Sequence, residues 1–522
     1  MGKGRISRRN FLKSASIAGG TLATPVAVAG ADKRVAPDCG SIWERPPKQE
    51  GNNLNLILIV ADTFRRDNLE CYGSKWVECP NLNRFSKDCI IFEDFYPEGL
   101  PTVVVRRNLY TGRRVLPTHY YRQNEPVQLP GWHPLYNEDV TLSETLVEAG
   151  YIPALICDVP HLQRPGRNFH RGYHYFEWIR GQENDYYGTA PRKPFDLSDI
   201  APDDYLDKVH NLREFLTQYK ANRNRWKLQG ESLVQAVADS ATRWLSANAG
   251  KKPFFLHVEA FDPHEPWDPP LRFLNKYLPN PKPPSWIQPP YADVKLPEEA
   301  KKRLRANYAA EATCVDFWLG KILETIDQLG LFSNSIVVFL SDHGALLGEQ
   351  DQFVKGPEKL RGQVTHIPML IRMPGKKFAG KRVSGFVQMP DVMPTLLGLL
   401  GLKPPPRVTG KNFWPLVTGE ASSIRDHAFQ GYGWIASVRS PEWNFSQVWK
   451  AEAYSGVYPP QLYNLQEDPE ELVNVAAKHP DVVKRLSATL KDYLAAGEPL
   501  TRGSFNEKES FHEGTAYVKD SG

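Results

Sequence analysis

Residues 54–60 form an almost unbroken apolar run that stops at Ala61-Asp62. A short apolar segment bounded by polar residues predicts a strand buried on both faces, as in parallel sheets. Runs of the same kind occupy residues 152–157, 253–259, 335–340 and 368–372. Helix-period stretches lie between or after them, over 141–149, 231–247, 298–329 and 390–400. Strand alternating with helix predicts an α/β fold with the sheet covered on both faces. Ligands in such folds gather beyond the carboxyl ends of the strands. Two of those ends carry chemistry: Asp62 after the first run, and Asp342-His343 after the fourth.

Between the periodic stretches the pattern breaks down. Residues 160–227 and 265–301 are rich in Pro, Trp and Tyr and too long for plain connections, so they read as insertions that shape a site. The 44 prolines in the chain fit long irregular segments over a compact core and argue against a helical repeat. A Pro-rich joint at 404–407 separates a main domain, 53–402, from a C-terminal subdomain, 403–494, with a polar tail over 495–522. Residues 32–52 read as a linker.

Charge adds an address. Ser7-Arg8-Arg9-Asn10-Phe11-Leu12-Lys13 precedes a weakly apolar Ala/Gly-rich run that ends in A-x-A patterns near Ala31. Paired arginines, a short apolar region and small residues at its end predict a twin-arginine signal peptide over 1–31, hence engagement of that translocation machinery and a periplasmic or secreted product. The run is too short to anchor in a membrane. Without these residues the net charge of +4 vanishes, because 59 basic then face 60 acidic side chains. No basic stripe remains to attract nucleic acid. Six cysteines without a C-x-x-C pair exclude a disulfide scaffold; Cys71 and Cys79 could close a short loop or remain free thiols.

Asp62, Asp342 and His343 form an oxygen-rich set with one imidazole, which suits Mn²⁺, Mg²⁺, Ca²⁺ or Zn²⁺. The alternative is that both aspartates cap following helices. Pro101-Thr102-Val103-Val104-Val105-Arg106 opens a further helix-like stretch that closes at Thr111-Gly112-Arg113. The order of several motifs resembles the sulfatase branch of the alkaline phosphatase superfamily. They are Ala61-Asp62-Thr63-Phe64-Arg65, Cys71-Tyr72-Gly73, Pro80-Asn81-Leu82 and Thr111-Gly112-Arg113. Asp262-Pro263-His264-Glu265-Pro266, Ser341-Asp342-His343-Gly344, Gly348 and Lys355 follow, then Pro368 to Gly375 and Gln461 to Glu470 with Asn474.

That resemblance implies a mixed sheet flanked by helices, a smaller C-terminal α+β subdomain, and hydrolysis of an ester of a small molecule, glycan or lipid. It also exposes a departure. Family members carry C-x-P-S-R or S-x-P-S-R, whose first residue becomes formylglycine, nine residues before the Thr of T-G-R. Here Thr102 occupies that place and Arg106 the signature Arg, so no formylglycine is expected. Other superfamily members use a metal-bound Thr as nucleophile. By this resemblance Asp62, Thr102, Asp342 and His343 hold one divalent ion, with Mn²⁺ or Zn²⁺ favoured because Thr63 replaces a second hard carboxylate. Thr102, Arg106, Lys355 and His264 form the catalytic set.

The expected activity is cleavage of phosphate esters, phosphodiesters before monoesters. The alternatives are a sulfatase working without formylglycine and an inactive binding protein, the latter on account of apolar Val103 to Val105. His161, His170 and His174, with Trp178, Arg180, Glu183 and Asp185, read as a substrate wall or a structural network. Trp132, Trp178, Tyr186, Tyr187 and Trp267 suit ring stacking or packing.

Overall fold

A computed structural model describes residues 51–118, 129–191, 193, 195–251, 253–291 and 294–504. The twin-arginine segment, Cys39 and residues 505–522 lie outside the described residues.

The strands follow in chain order: β1 (Asn55–Ala61), β2 (Ile90–Phe92), β3 (Gly99–Leu100), β4 (Ile152–Cys157), β5 (Tyr175–Trp178), β6 (Phe254–Ala260), β7 (Ser335–Ser341), β8 (Met369–Arg372) and β9 (Arg382–Val383). The C-terminal part adds β10 (Ala428–Tyr432), β11 (Ile435–Arg439), β12 (Trp443–Val448) and β13 (Gln461–Asn464). Among the described residues the main sheet runs β9-β2-β8-β7-β1-β6-β4-β5. β1, β6 and β7 are buried along their whole length, which is why their sequences lack alternation.

β1 pairs in parallel with β6 and β7, so Ala61 stands beside Ala260 and Ser341. This register brings three carboxyl ends level, and the polar residues following them converge. β8 is antiparallel to β7, so the fifth apolar run forms a mixed sheet and not a purely parallel one. Two apolar layers, one on each face, are led by α1 (Thr102–Thr111) on one side and by α2 (Leu233–Asn248) and α3 (Glu298–Gln328) on the other.

Three features add to the sequence reading. The 160–227 insertion contains the regular helix Leu212–Trp226 beside Asp203–Lys208, a period masked by its Pro- and Tyr-rich flanks. The C-terminal sheet, β13-β12-β11-β10-β3, takes β3 from the body of the chain, just ahead of Thr102. The closing helix Pro480–Thr501 passes residue 494, because Gly497 fits against the Leu116 carbonyl and Thr501 is buried. Cys71, Cys79, Cys89, Cys157 and Cys314 are free thiols.

Candidate active site

Asp62, Asp342 and His343 are fully buried at the ends of β1 and β7, with one ligating atom of each within 4.8 Å of the others. Neither aspartate precedes a regular helix that it could cap. Asp342 Oδ1 instead accepts from the backbone N–H groups of Thr63 (2.9 Å) and His343 (2.7 Å). Thr63 turns the chain at φ 61° and donates its hydroxyl to Asp62 Oδ1 at 2.7 Å.

Electrostatics separates the two carboxyls. Burial and the Asp342 charge push Asp62 well above the usual carboxylate range. Burial also opposes ionisation of Asp342, but the Arg106 guanidinium foremost outweighs it and holds Asp342 well below that range. Burial pushes His343 down to about 3, so its imidazole is neutral. Its Nδ1 lies 3.1 Å from the Gly344 carbonyl and fits the donor tautomer, which leaves the Nε2 lone pair facing the carboxylates.

His343 Nε2 is buried without a hydrogen-bond partner, and Asp62 Oδ2, also without one, has only an ion pair with Arg106 at 3.2 Å. A buried acceptor left unpaired, such as His343 Nε2, is costly unless something electropositive faces it. Two carboxylate oxygens and an imidazole nitrogen fit a divalent cation.

Thr102 is buried at the first position of α1, where helix N–H groups and the dipole favour negative charge. Val103, Val104 and Val105 are buried, and Val103 and Val105 belong to the core beneath the sheet, so the apolar signature interior serves packing. One turn beyond Thr102, Arg106 is fully buried and crosses the cluster. Its Nη1 contacts Asp342 Oδ2 and lies 3.2 Å from Asp62 Oδ2. Its other edge bonds Glu259 through Nε (3.1 Å) and Nη2 (2.8 Å). Sequence reasoning passed over Glu259, although it closes an apolar strand just as Asp62 does.

Lys355 and His264 meet on the outer side of the site. Lys355 Nζ is 2.7 Å from His264 Nε2, 3.2 Å from Glu265 Oε1 and 3.0 Å from the Tyr291 hydroxyl. A short antiparallel pair, Leu346–Leu347 with Phe353–Val354, delivers Lys355, and β-branched Val354 adopts φ 53° just before it. The Lys355 charge favours the ionised form of Asp62 and the neutral form of His343. Burial opposes ionisation of Glu265, yet His264 and Lys355 hold it down to about 2. Glu265 stood in a quoted motif without a role and Tyr291 escaped the sequence reading; the contacts with Lys355 identify both.

Of the insertion residues, His161 and Glu183 reach this network, through a 2.9 Å contact between His161 Nε2 and Glu183 Oε2. His170 stacks on Phe176, and His174 is exposed. Trp132 and Trp267 are buried in packing, Trp178 and Tyr187 carry the guanidinium groups of Arg180 and Arg225, and Tyr186 is exposed.

The fold and the site define a hydrolase of the alkaline phosphatase superfamily, whose enzymes use a divalent metal. Within it, the chain belongs to the sulfatase family: the Sulfatase family model matches residues 54–402, and the model of the N-sulphoglucosamine sulphohydrolase C-terminal region matches 358–496. An arylsulfatase of Clostridium perfringens is 27% identical over 464 residues, covering 81% of this chain and 90% of the relative. The multifunctional alkaline phosphatase superfamily protein PehA of Trinickia caryophylli is 25% identical over 482 residues, covering 81% and 91%. The crystal structure of the phosphonate monoester hydrolase of Agrobacterium radiobacter shares the fold, with TM-score 0.63, 22% identity and coverage of 88% and 99%. Among the described residues no helix is long and apolar enough to cross a membrane.

Proposed function

We propose that this protein is an exported hydrolase of phosphate esters, phosphodiesters foremost, in which Thr102 is the nucleophile. The observation that carries the reading is the placement of Thr102 at the N-terminus of α1, one turn from an Arg106 that reaches Asp62 and Asp342. Asp62, Asp342 and His343, with Thr102, would hold one divalent ion, Mn²⁺ or Zn²⁺ before Ca²⁺ or Mg²⁺. Such an ion would supply Lewis acidity and offset the negative charge of the substrate.

The chain's own residues do the rest. The helix N-terminus and Arg106 favour the alkoxide of Thr102, whose proton is released to solvent before substrate binds. Thr102 Oγ1 bonds to phosphorus as the bond to the leaving oxygen breaks, and the electron pair departs with that oxygen. His264, with Lys355 beside it, gives the leaving oxygen a proton from Nε2, while Lys355 neutralises charge on the transferred group. Water then attacks phosphorus, giving its proton to the now neutral His264 Nε2, as the bond to Thr102 Oγ1 breaks and its electron pair returns to that oxygen. A phosphodiester is favoured because few cationic side chains oppose the anion: Arg106 and Lys355 beside the metal.

Sulfate-ester hydrolysis is the second reading, favoured by the arylsulfatase likeness. The chain carries Thr, which cannot become formylglycine, at the position that counts. Metal-stripped enzyme reloaded with Mn²⁺, Zn²⁺, Ca²⁺ or Mg²⁺ should be assayed on aryl phosphodiester, phosphomonoester and sulfate ester, beside Thr102→Ala. The expected order is diester first, with Thr102→Ala losing at least about 10²-fold. Sulfatase activity above diesterase activity would reverse the substrate assignment. Inactivity with every metal would favour a binding protein.

A further inference from the structure

The insertion that follows β4 returns a single carboxylate to the site. Glu183 is partly buried and sits between two imidazoles, with Oε2 2.9 Å from His161 Nε2 and Oε1 3.6 Å from His264 Nδ1. The chain is strained to place it there, since Glu183 is a non-glycine residue at φ 47°. Its neighbours fix that conformation. The Gln182 amide donates to Asp158 Oδ2 at 2.8 Å and to Asp262 Oδ1 at 2.9 Å, anchoring the segment to the ends of β4 and β6. The Asn222 amide donates to the Glu183 carbonyl at 3.1 Å, and Arg164 bonds Asn184. Strain held by so many contacts is typical of a functional position.

We infer that Glu183 is a positioning residue for His264, fixing its ring orientation and favouring its protonated form. His264 stacks on Phe261 with ring centroids 4.1 Å apart, and Nδ1 lies 2.7 Å from the Glu265 carbonyl. With the Nδ1 proton directed at that carbonyl and at Glu183, Nε2 is the end left for chemistry. In the resting site Nε2 accepts from Lys355. When His264 takes a second proton there, Lys355 keeps Glu265 and Tyr291 as partners already within 3.2 Å. The groups facing His264 are Lys355, Glu265 and Glu183, with His161 behind Glu183, Tyr291 behind Glu265, and His343 across the site. Burial lowers the pKa of His264 and Lys355 adds to this, whereas Glu265 and Glu183 oppose it. The placement of His264 stands on this geometry alone; its service as proton donor rests on the function proposed above.

Glu183→Gln keeps the shape and removes the charge. In ¹⁵N-histidine NMR of the full chain, the titration midpoint of His264 should fall by about one pH unit, as expected on losing an opposite charge at this range. Glu183→Asp should restore part of the shift. In the esterase assay, a general acid matters most for poor leaving groups. Glu183→Gln should therefore lose tenfold or more in kcat on an alkyl ester but less than about threefold on a nitrophenyl ester, with KM unchanged in both. It should add little to His264→Ala. An unmoved His264 midpoint, or equal losses on both esters, would overturn the inference. A midpoint that falls in Glu183→Gln while the wild type cleaves no ester would refute the proposed function and leave the positioning role standing.

Discussion

Glu259→Gln probes the charge balance of the site without touching a proposed metal ligand. Three buried carboxylates, Asp62, Asp342 and Glu259, face one buried guanidinium, that of Arg106. Glu259 has two contacts to Arg106, at 3.1 and 2.8 Å, and lies 3.2 Å from His257 Nε2. A glutamine turns an amide N–H₂ toward N–H donors on one side and removes the formal charge. Breaking a buried pair from one end costs about 3–5 kcal/mol, most of it from the charge left behind. Without metal, Asp342 and Asp62 still compensate Arg106, which places the loss at the lower end. With a dication on those aspartates, Arg106 depends on Glu259 alone, and the loss moves to the upper end. Urea denaturation in chelator and in Mn²⁺ reads both values. The variant should therefore gain less stability from Mn²⁺ than the wild type. Midpoints within about 0.5 kcal/mol of wild type under both conditions would refute the claim that Glu259 anchors Arg106.

Three further predictions follow from the same contacts. Asp342→Ala should abolish the rise in thermal midpoint caused by adding Mn²⁺ or Zn²⁺ to stripped protein, because two of the remaining donors, Asp62 and His343, cannot balance a dication; an undiminished rise would place the metal elsewhere. The folded-state pKa of Glu265 is depressed from 4.5 to about 2, so it contributes stability above pH 4.5 that is lost as pH falls through 2, about 3 kcal/mol in all. Glu265→Gln should flatten stability against pH across that window, as acid titration of fluorescence would show. Glu471 is buried and accepts from Arg439 (2.7 Å), Asn444 (2.6 Å) and the Gly362 N–H (2.9 Å), so Glu471→Ala should cost about 3–5 kcal/mol by chemical denaturation.

How far the chain can be read without its structure depends on how local each signal is. The apolar runs at 152–157 and 335–340 mark β4 and β7 almost to the residue, because burial on both faces leaves a compositional trace along the strand itself. Asp62, Asp342 and His343 stand at strand ends, where polarity interrupts such runs, and they meet in space. Glu259, Glu265 and Tyr291 carried no role in the sequence, because each owes its place to a partner at least 64 positions away; Glu183 stood in the stretch read as a substrate wall or a structural network, and only its contact with His264 decides what it does. Asp468 and Asn474 in the C-terminal motif were legible, and they bond nearby backbone: Asp468 accepts from Leu472 and Val473, and Asn474 from Leu462 and Ala476. Their neighbour Glu471 was not, since its partners are distant.

The central claim is that Thr102 forms a covalent ester during turnover. The direct measurement is rapid acid quench of the metal-loaded enzyme with an aryl phosphodiester, followed by peptide mass spectrometry. The account predicts a phosphoryl adduct on Thr102, absent from Thr102→Ala, which is also inactive. An adduct on another residue, or full activity in Thr102→Ala, would contradict it.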